Sequence, residues 1–466
     1  MYKKQHIHFV GIGGIGMSGL AHVLLKLGYT VTGSDLRETE MTRSVEALGG
    51  TVHRGHRPEN AAGADVVVFS SAVKADNPEI GAARAAHIPV IPRAEMLSEL
   101  MRLKKFGIAV AGAHGKTSTT SMVTSVLRTG GLDPTVIIGG KVNGLGSNAY
   151  WGQGEFLVAE ADESDGSFLR LTPSIAVVTN IDREHLDHYP DIEAIRRCFS
   201  DFLDRVPFYG LSVLCGDCPH LRLLAAQAEN KRFMTYGIGA HNDLQAVDIR
   251  FEGMGITYRV LRNGTELGEV RLPVPGLHYA RNSMAAAAVG LELEIPFEKI
   301  AQGLSAYKGV GRRFEILGEA GGITVVDDYA HHPTEIKATL KAARGCWPDR
   351  RLVVLFEPHR YSRTQALMDD FAEAFEDADD VWITEIYPAS EKPIVGVSGE
   401  RLARSIRQAR DQTPVHFVET CEGLAQAVSP HLQPGDVVLT LGAGGIGGVG
   451  PRVMNLLDGK EVAVAV

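Results

Sequence analysis

The segment Gly112-Ala113-His114-Gly115-Lys116-Thr117-Ser118 sets a lysine and two hydroxyl side chains directly after a glycine turn. Backbone N–H groups in such a turn cradle phosphates. The lysine reaches the β and γ oxygens, and the next hydroxyl ligates Mg²⁺. The loop departs from the strict G-x-x-x-x-G-K-[ST] form, because Val110 stands where the first glycine belongs. A second glycine loop, Gly11-Ile12-Gly13-Gly14-Ile15-Gly16, satisfies G-x-G-x-x-G. Its glycines allow a tight turn, so N–H groups approach a pyrophosphate at the positive end of a helix. Asp35 lies in range of a ribose hydroxyl, and Ser70 and Ser71, after a later apolar run, belong to the same expected site. A dinucleotide and a nucleotide-sugar share pyrophosphate and ribose, so this loop admits both, including a nicotinamide-dependent oxidoreductase.

Two acidic runs follow apolar stretches. Glu160-Ala161-Asp162-Glu163-Ser164-Asp165 offers the hard oxygen ligands that Mg²⁺ prefers. Asn180-Ile181-Asp182-Arg183-Glu184-His185-Leu186-Asp187-His188 mixes histidines and carboxylates, which suits Mg²⁺ beside a phosphate loop, with zinc as the rival ion. Further on, Asp327-Asp328-Tyr329-Ala330-His331-His332-Pro333 and Glu357-Pro358-His359-Arg360-Tyr361-Ser362-Arg363 each follow a strand pattern. Histidine and arginine at strand ends suit carboxylate recognition, because the guanidinium is a permanently charged bidentate fork. Gly442-Ala443-Gly444-Gly445-Ile446-Gly447 repeats the glycine pattern, but Gly448, Gly450 and Pro451 argue against an immediate helix and for a tightly turning loop.

The elements that must position these groups read as α/β. Residues 6–10 form a strand, with a helix over 17–27 and a second strand over 29–33. Further strands are expected at 64–70 and 87–91, and a charged stretch near 103–105 marks a boundary. A new strand–loop–helix unit opens at Phe106, with strands at 155–160 and 175–180. A β-rich stretch between Lys231 and Pro275 carries Asn263-Gly264 as a hairpin turn, and a helix follows over 282–293. A third unit from Phe314 shows strand patterns at 323–326, 352–356, 381–383, 415–418 and 437–441. The expected domains are 1–104, 105–313 and 314–466. The first and last are Rossmann-like, and the central one is a P-loop-type ATPase-like α/β domain with added strands.

The chain has 466 residues, 44% hydrophobic and 22% charged, with 47 basic against 56 acidic side chains and a net charge of −9. That is an ordinary globular composition, and it argues against a protein that coats nucleic acid. Five cysteines, an odd number in a long chain, argue against a disulfide framework. Cys215 and Cys218 read as ordinary thiols. No apolar run reaches the ~18 residues of a membrane span, and the start reads as a strand instead of a signal peptide. A cytoplasmic location is expected.

In combination these motifs resemble the Mur ligase family of bacterial cell-wall synthesis. The resemblance spans nearly the whole chain. It rests on residues 10–20, 111–117, 160–165, 179–181 with His185, 327–333 and 358–361. It implies an ATP-dependent ligase that joins L-alanine to the lactyl carboxylate of UDP-N-acetylmuramate through an acyl phosphate. By that resemblance the N-terminal domain binds the UDP-sugar, the central one ATP, and the C-terminal one the amino acid. Thr117, Glu160 and His185 would ligate Mg²⁺. Asn282, Arg313 and Asp328 would meet the nucleotide, and His331, His359, Arg360 and Arg363 would gather around alanine. Lys116, His185, His331 and Arg360 are the expected catalytic group, with His331 or His359 as the amine's base. Domain closure on binding is expected, in a monomer or homodimer.

Three departures from the family pattern stand out. Ala113 replaces a common Thr. Tyr279 follows His278 where Asn is usual, and so is left out of the expected site. Several relatives place a carbamoylated lysine near a second metal, but no lysine lies between Lys141 and Lys231. The alternatives carried forward are a ligase adding a preformed peptide to the same sugar, and a nucleotide-binding regulator on the same scaffold.

Overall fold

The computed structural model describes residues 5–70, 72–74, 76–140, 148–227, 231–410 and 412–459. Ser71 and Lys141 lie outside them. Among the described residues there are three sheets.

The first sheet is parallel, in the order Thr51–Arg54, Thr30–Asp35, His6–Val10, Val66–Phe69, Val90–Pro92. Its strand order reverses beside His6–Val10, so the first glycine loop opens at the topological switch point where such sheets bind ligands. Asp35 closes the second strand instead of following it. The strand expected at 87–91 starts only at Val90, because His87 takes a left-handed φ of 57° at the helix exit.

The central sheet has ten strands among the described residues. The parallel strand Phe106–Ala111 lies between Ile175–Val178 and Phe156–Glu160. Parallel neighbours share one C-terminal edge, so the phosphate loop and both acidic runs emerge side by side. The strand expected at 175–180 stops at Val178, because Thr179 and Asn180 leave the ladder to bond the phosphate loop. At the far edge Asn263 and Gly264, at φ 49° and 81°, make the two-residue hairpin turn. The helix expected at 282–293 starts a turn earlier, over Leu277–Glu292, since Gly276 at φ 111° admits the chain directly. Its fully buried Ala285, Ala286, Ala287 and Ala288 let it pack against the helix Lys116–Thr129.

The third sheet runs Glu315–Ala320, Ile323–Asp328, Val437–Leu441, Leu352–Phe356, Asp380–Ile383, Val415–Phe417. Glu315–Ala320 is an antiparallel edge strand that the sequence pattern did not mark, being half exposed. The two histidine-bearing loops do not follow adjacent strands, because Val437–Leu441 is inserted between theirs. The Gly442 turn therefore sits between them. A helix does follow it, Val449–Leu457, after the short turn Gly445–Gly448. Pro451 falls in the first helical turn, where its missing N–H costs nothing.

Candidate functional site

The phosphate loop is built from both sides. The Ala113 and His114 N–H groups donate to the Asn180 backbone and side-chain oxygens at 3.2 and 2.9 Å. The Thr179 hydroxyl donates to the His114 carbonyl at 2.6 Å. Gly115 caps the helix at φ 81°, and a Cβ there would stand 2.8 Å from Asn282 Oδ1. Only glycine lets Asn282 press against the loop. The first turn of Lys116–Thr129 then presents its N–H groups and positive dipole end to an anion.

Lys116 Nζ donates to the Gly112 carbonyl at 2.6 Å and to Glu163 Oε1 at 2.7 Å. Burial works against the ammonium, but Glu163 and Asp162 outweigh it and raise its pKa. His185 Nε2 lies 3.5 Å from the same Glu163 oxygen. His185 holds a left-handed φ of 54°, the sort of backbone cost that collects at functional sites. Glu160 bonds the Gly139 N–H at 2.9 Å and the Thr117 side chain. The expected metal ligands Thr117, Glu160 and His185 are thus gathered round Lys116. Glu163, quoted in the acidic run but absent from the expected site, lies at their centre. Its Oε2 is buried without a hydrogen-bond partner, as an anionic oxygen kept for a cation would be.

Beside the loop opens a cavity of about 470 Å³. Ser118, Asn282, Arg313 and Asp328 line it, so the residues expected to meet the nucleotide converge from two domains. Asp328 accepts from the Phe314 and Ala330 N–H groups at 2.7 Å, and burial raises its carboxyl to about 6. Tyr279 belongs to the wall after all, its hydroxyl bonded to the Arg313 carbonyl at 3.0 Å. Cys215 and Cys218 also line the cavity, as free thiols.

A polar seam joins the central and C-terminal domains. His114 Nε2 meets Asp182 at 2.8 Å, and its Nδ1 meets Glu335 at 3.3 Å. Burial would lower this imidazole, but the two carboxylates lift it to about 10. His114, Asp182 and His332 cluster closely enough for a metal. With both His114 nitrogens on carboxylates, the ring is instead an imidazolium between two anions. The Thr334 hydroxyl donates to Asp182 at 2.7 Å.

Arg363 gives Nε and Nη2 to the Glu184 carboxylate at 3.1 and 3.0 Å, and Nη1 to the His359 carbonyl at 3.0 Å. The guanidinium expected at the amino acid is therefore largely committed to tying the domains. Arg360, 3.2 Å from Asp187, is more exposed, and its φ of 73° aims it from a strained backbone. His331 and His359 lie with ring centroids 5.7 Å apart. Burial lowers them to about 4 and about 3, so both rings are neutral at pH 7.

At the first glycine loop, the Gly13 N–H donates to Asp35 at 2.9 Å, and a Cβ on Gly13 would collide with that carboxylate. Ser70 flanks Gly11, and Ile15 is exposed at the helix start. This loop does not share the cavity beside Gly115. Arg93 links the two regions: it packs on Gly16 and bonds Asp162 at 3.0 Å. Sequence reasoning missed Arg93, for which no motif existed, and Glu335. The latter had a signal in the spacing His332-Pro333-Thr334-Glu335, a helix-start capping pattern.

The chain matches the Mur ligase family over three stretches: the catalytic domain at 6–105, the middle domain at 110–290 and the glutamate ligase domain at 312–444. It belongs to the Mur ligase family, and it is a ligase. More particularly, it is 55% identical to the UDP-N-acetylmuramate–L-alanine ligase of Geobacter sp. (strain M21), covering 97% of this chain and 98% of that one. It is 56% identical to the enzyme of the same name from Desulfosudis oleivorans, covering 98% and 99%. Among solved structures, the UDP-N-acetylmuramate-alanine ligase of Thermotoga maritima superposes with a TM-score of 0.83 at 30% identity, covering 98% and 99%. A murein peptide ligase from Psychrobacter arcticus superposes at 0.73 with 26% identity, covering 98% and 100%.

Proposed function

We propose that this chain uses ATP to join L-alanine to the lactyl carboxylate of UDP-N-acetylmuramate, through an acyl phosphate. The observation that carries this reading is one acidic run serving two phosphate loops. Asp162 holds Arg93 against Gly16, while Glu160 and Glu163 meet Thr117 and Lys116. A triphosphate on the Gly112 turn and a nucleotide-sugar on the Gly11 turn would then approach each other across that run.

A carboxylate is a poor electrophile, so it must be activated before an amine can attack. The lactyl carboxylate takes the γ-phosphoryl group in line, and Lys116 leaves the Gly112 carbonyl to follow the charge. Mg²⁺ would be held by Thr117, Glu160 and His185, with the free Glu163 oxygen beside them; bound there, it offsets the charge shared by the two anions. Asn282, Arg313 and Asp328 hold the adenosine end. The alanine carboxylate pairs with Arg360, and its nitrogen, once neutral, attacks the acyl carbon. His331 or His359 takes the proton. The interdomain seam excludes water, which would otherwise hydrolyse the acyl phosphate.

The test is phosphate release from ATP with UDP-N-acetylmuramate and a panel of amino acids, with a preformed tripeptide as a separate arm. Alanine-dependent release is expected. Release with tripeptide alone would favour the recycling ligase, and binding without release a regulator.

A further inference from the structure

The amine of an amino acid is an ammonium near neutral pH and must lose a proton before it attacks. His331, one of the two histidines named for this, has its tautomer set by its neighbours. Its Nδ1 lies 2.9 Å from the Tyr329 carbonyl oxygen, which can only accept. Nδ1 therefore carries the hydrogen, and Nε2 is left with the lone pair. Glu335 Oε2 stands 3.3 Å from the same Nδ1 and also accepts the His331 and His332 backbone N–H groups at 3.1 and 3.3 Å. One carboxylate oxygen thus fixes both ring and backbone of His331.

The other groups facing this ring are Arg363, Glu184, His359 and Tyr329. Arg363 opposes protonation, and its charge is already matched by Glu184. Glu335 is the carboxylate in direct contact with the ring, its Oε2 facing Nδ1 while Oε1 pairs with His114 of the phosphate loop and, at 3.9 Å, Arg313, so Oε2 is placed to offset a charge forming on the ring.

We propose that Glu335 is the positioning residue for proton removal from the incoming amine, holding His331 with Nε2 free and stabilising the imidazolium that forms. The inference rests on the ligase reading above. In the step an ammonium N–H bond breaks and its proton bonds to Nε2. The freed electron pair forms the bond to the acyl carbon. Phosphate departs with the electrons of the carbon–oxygen bond and takes up the second proton that the nitrogen sheds as it becomes an amide, and the imidazolium returns its proton to solvent. The logic is that of a carboxylate orienting a histidine base.

The test uses two nucleophiles on the full chain. Hydroxylamine is neutral near pH 7 and traps an acyl phosphate without a base; alanine needs one. Glu335→Gln keeps an acceptor for the helix cap. It is expected to lower kcat with alanine on the order of a hundred-fold or more, while hydroxamate formation, which needs no base, falls far less. Its residual alanine rate should climb with pH about tenfold per unit, as only amine arriving neutral reacts, and Glu335→Asp should restore part of the loss. An equal loss with both nucleophiles, or an unchanged alanine rate, overturns the proposal. A wild-type chain that forms no hydroxamate from UDP-N-acetylmuramate overturns the ligase reading itself.

Discussion

Lys116 is held within the phosphate turn by the Gly112 carbonyl and Glu163, so its removal should act on the phosphoryl step. Lys116→Ala is expected to cut phosphate release by a hundred- to a thousand-fold or more, the scale for losing one preorganised charge at a reacting oxygen. UDP-sugar binding, measured by calorimetry, should stay close to wild type because the Gly11 loop lies in another domain. Asp328 gives a pH prediction. Its carboxyl, raised to about 6 by burial, is ionised above that pH and protonated below it. His331 and His359 titrate near 4 and 3, and His114 near 10, outside this window. KM for ATP should therefore rise as pH falls from 7 to 5. Asp328→Asn should show a high KM throughout with that limb absent; an unchanged limb would separate Asp328 from the nucleotide. The types and order of these residues were legible beforehand. Glu335 was legible only as a helix cap; its contacts with His331 and His114 exist only in the folded chain.

At the scale of elements, the decisive fact is that three neighbouring parallel strands end at one edge. Strand patterns alone located Phe106–Ala111, Phe156–Glu160 and Ile175–Val178 to within a residue or two. Their adjacency came from pairing, which no local pattern encodes. The cap at Gly115 shows how tightly that edge is built. Gly115→Ala puts a side chain at φ 81° and against Asn282, a strain of about 1–3 kcal/mol. An increase of about 10-fold to 100-fold in KM for ATP is expected. Steady-state kinetics that show no change would mean Asn282 moves freely and does not define the loop.

At the scale of the whole molecule, the seam between central and C-terminal domains is a set of mostly buried charges. Arg363 and Glu184 are 10% and 7% exposed, so removing one strands the other. Glu184→Ala should weaken docking by about 3–5 kcal/mol. Small-angle scattering should then show a larger radius of gyration than wild type, and ATP with UDP-sugar should compact the wild type more than the variant. Equal radii in every state would remove the seam from the closing motion.

The linear order of residues was enough to determine the chemistry on offer: two anion-binding turns, carboxylates for a cation, and histidines and arginines for a carboxylate. Those depend on residue type and short spacing, which a chain carries before it folds. Tertiary structure alone decided which groups are spent on one another. It committed Arg363 to Glu184 and charged His114 between Asp182 and Glu335. It also set Val437–Leu441 between the two histidine loops and put Tyr279 in the wall of the cavity beside Gly115. Each outcome depends on burial and on partners far apart in the chain. Electrostatic strength there follows distance and desolvation, neither of which a sequence position possesses.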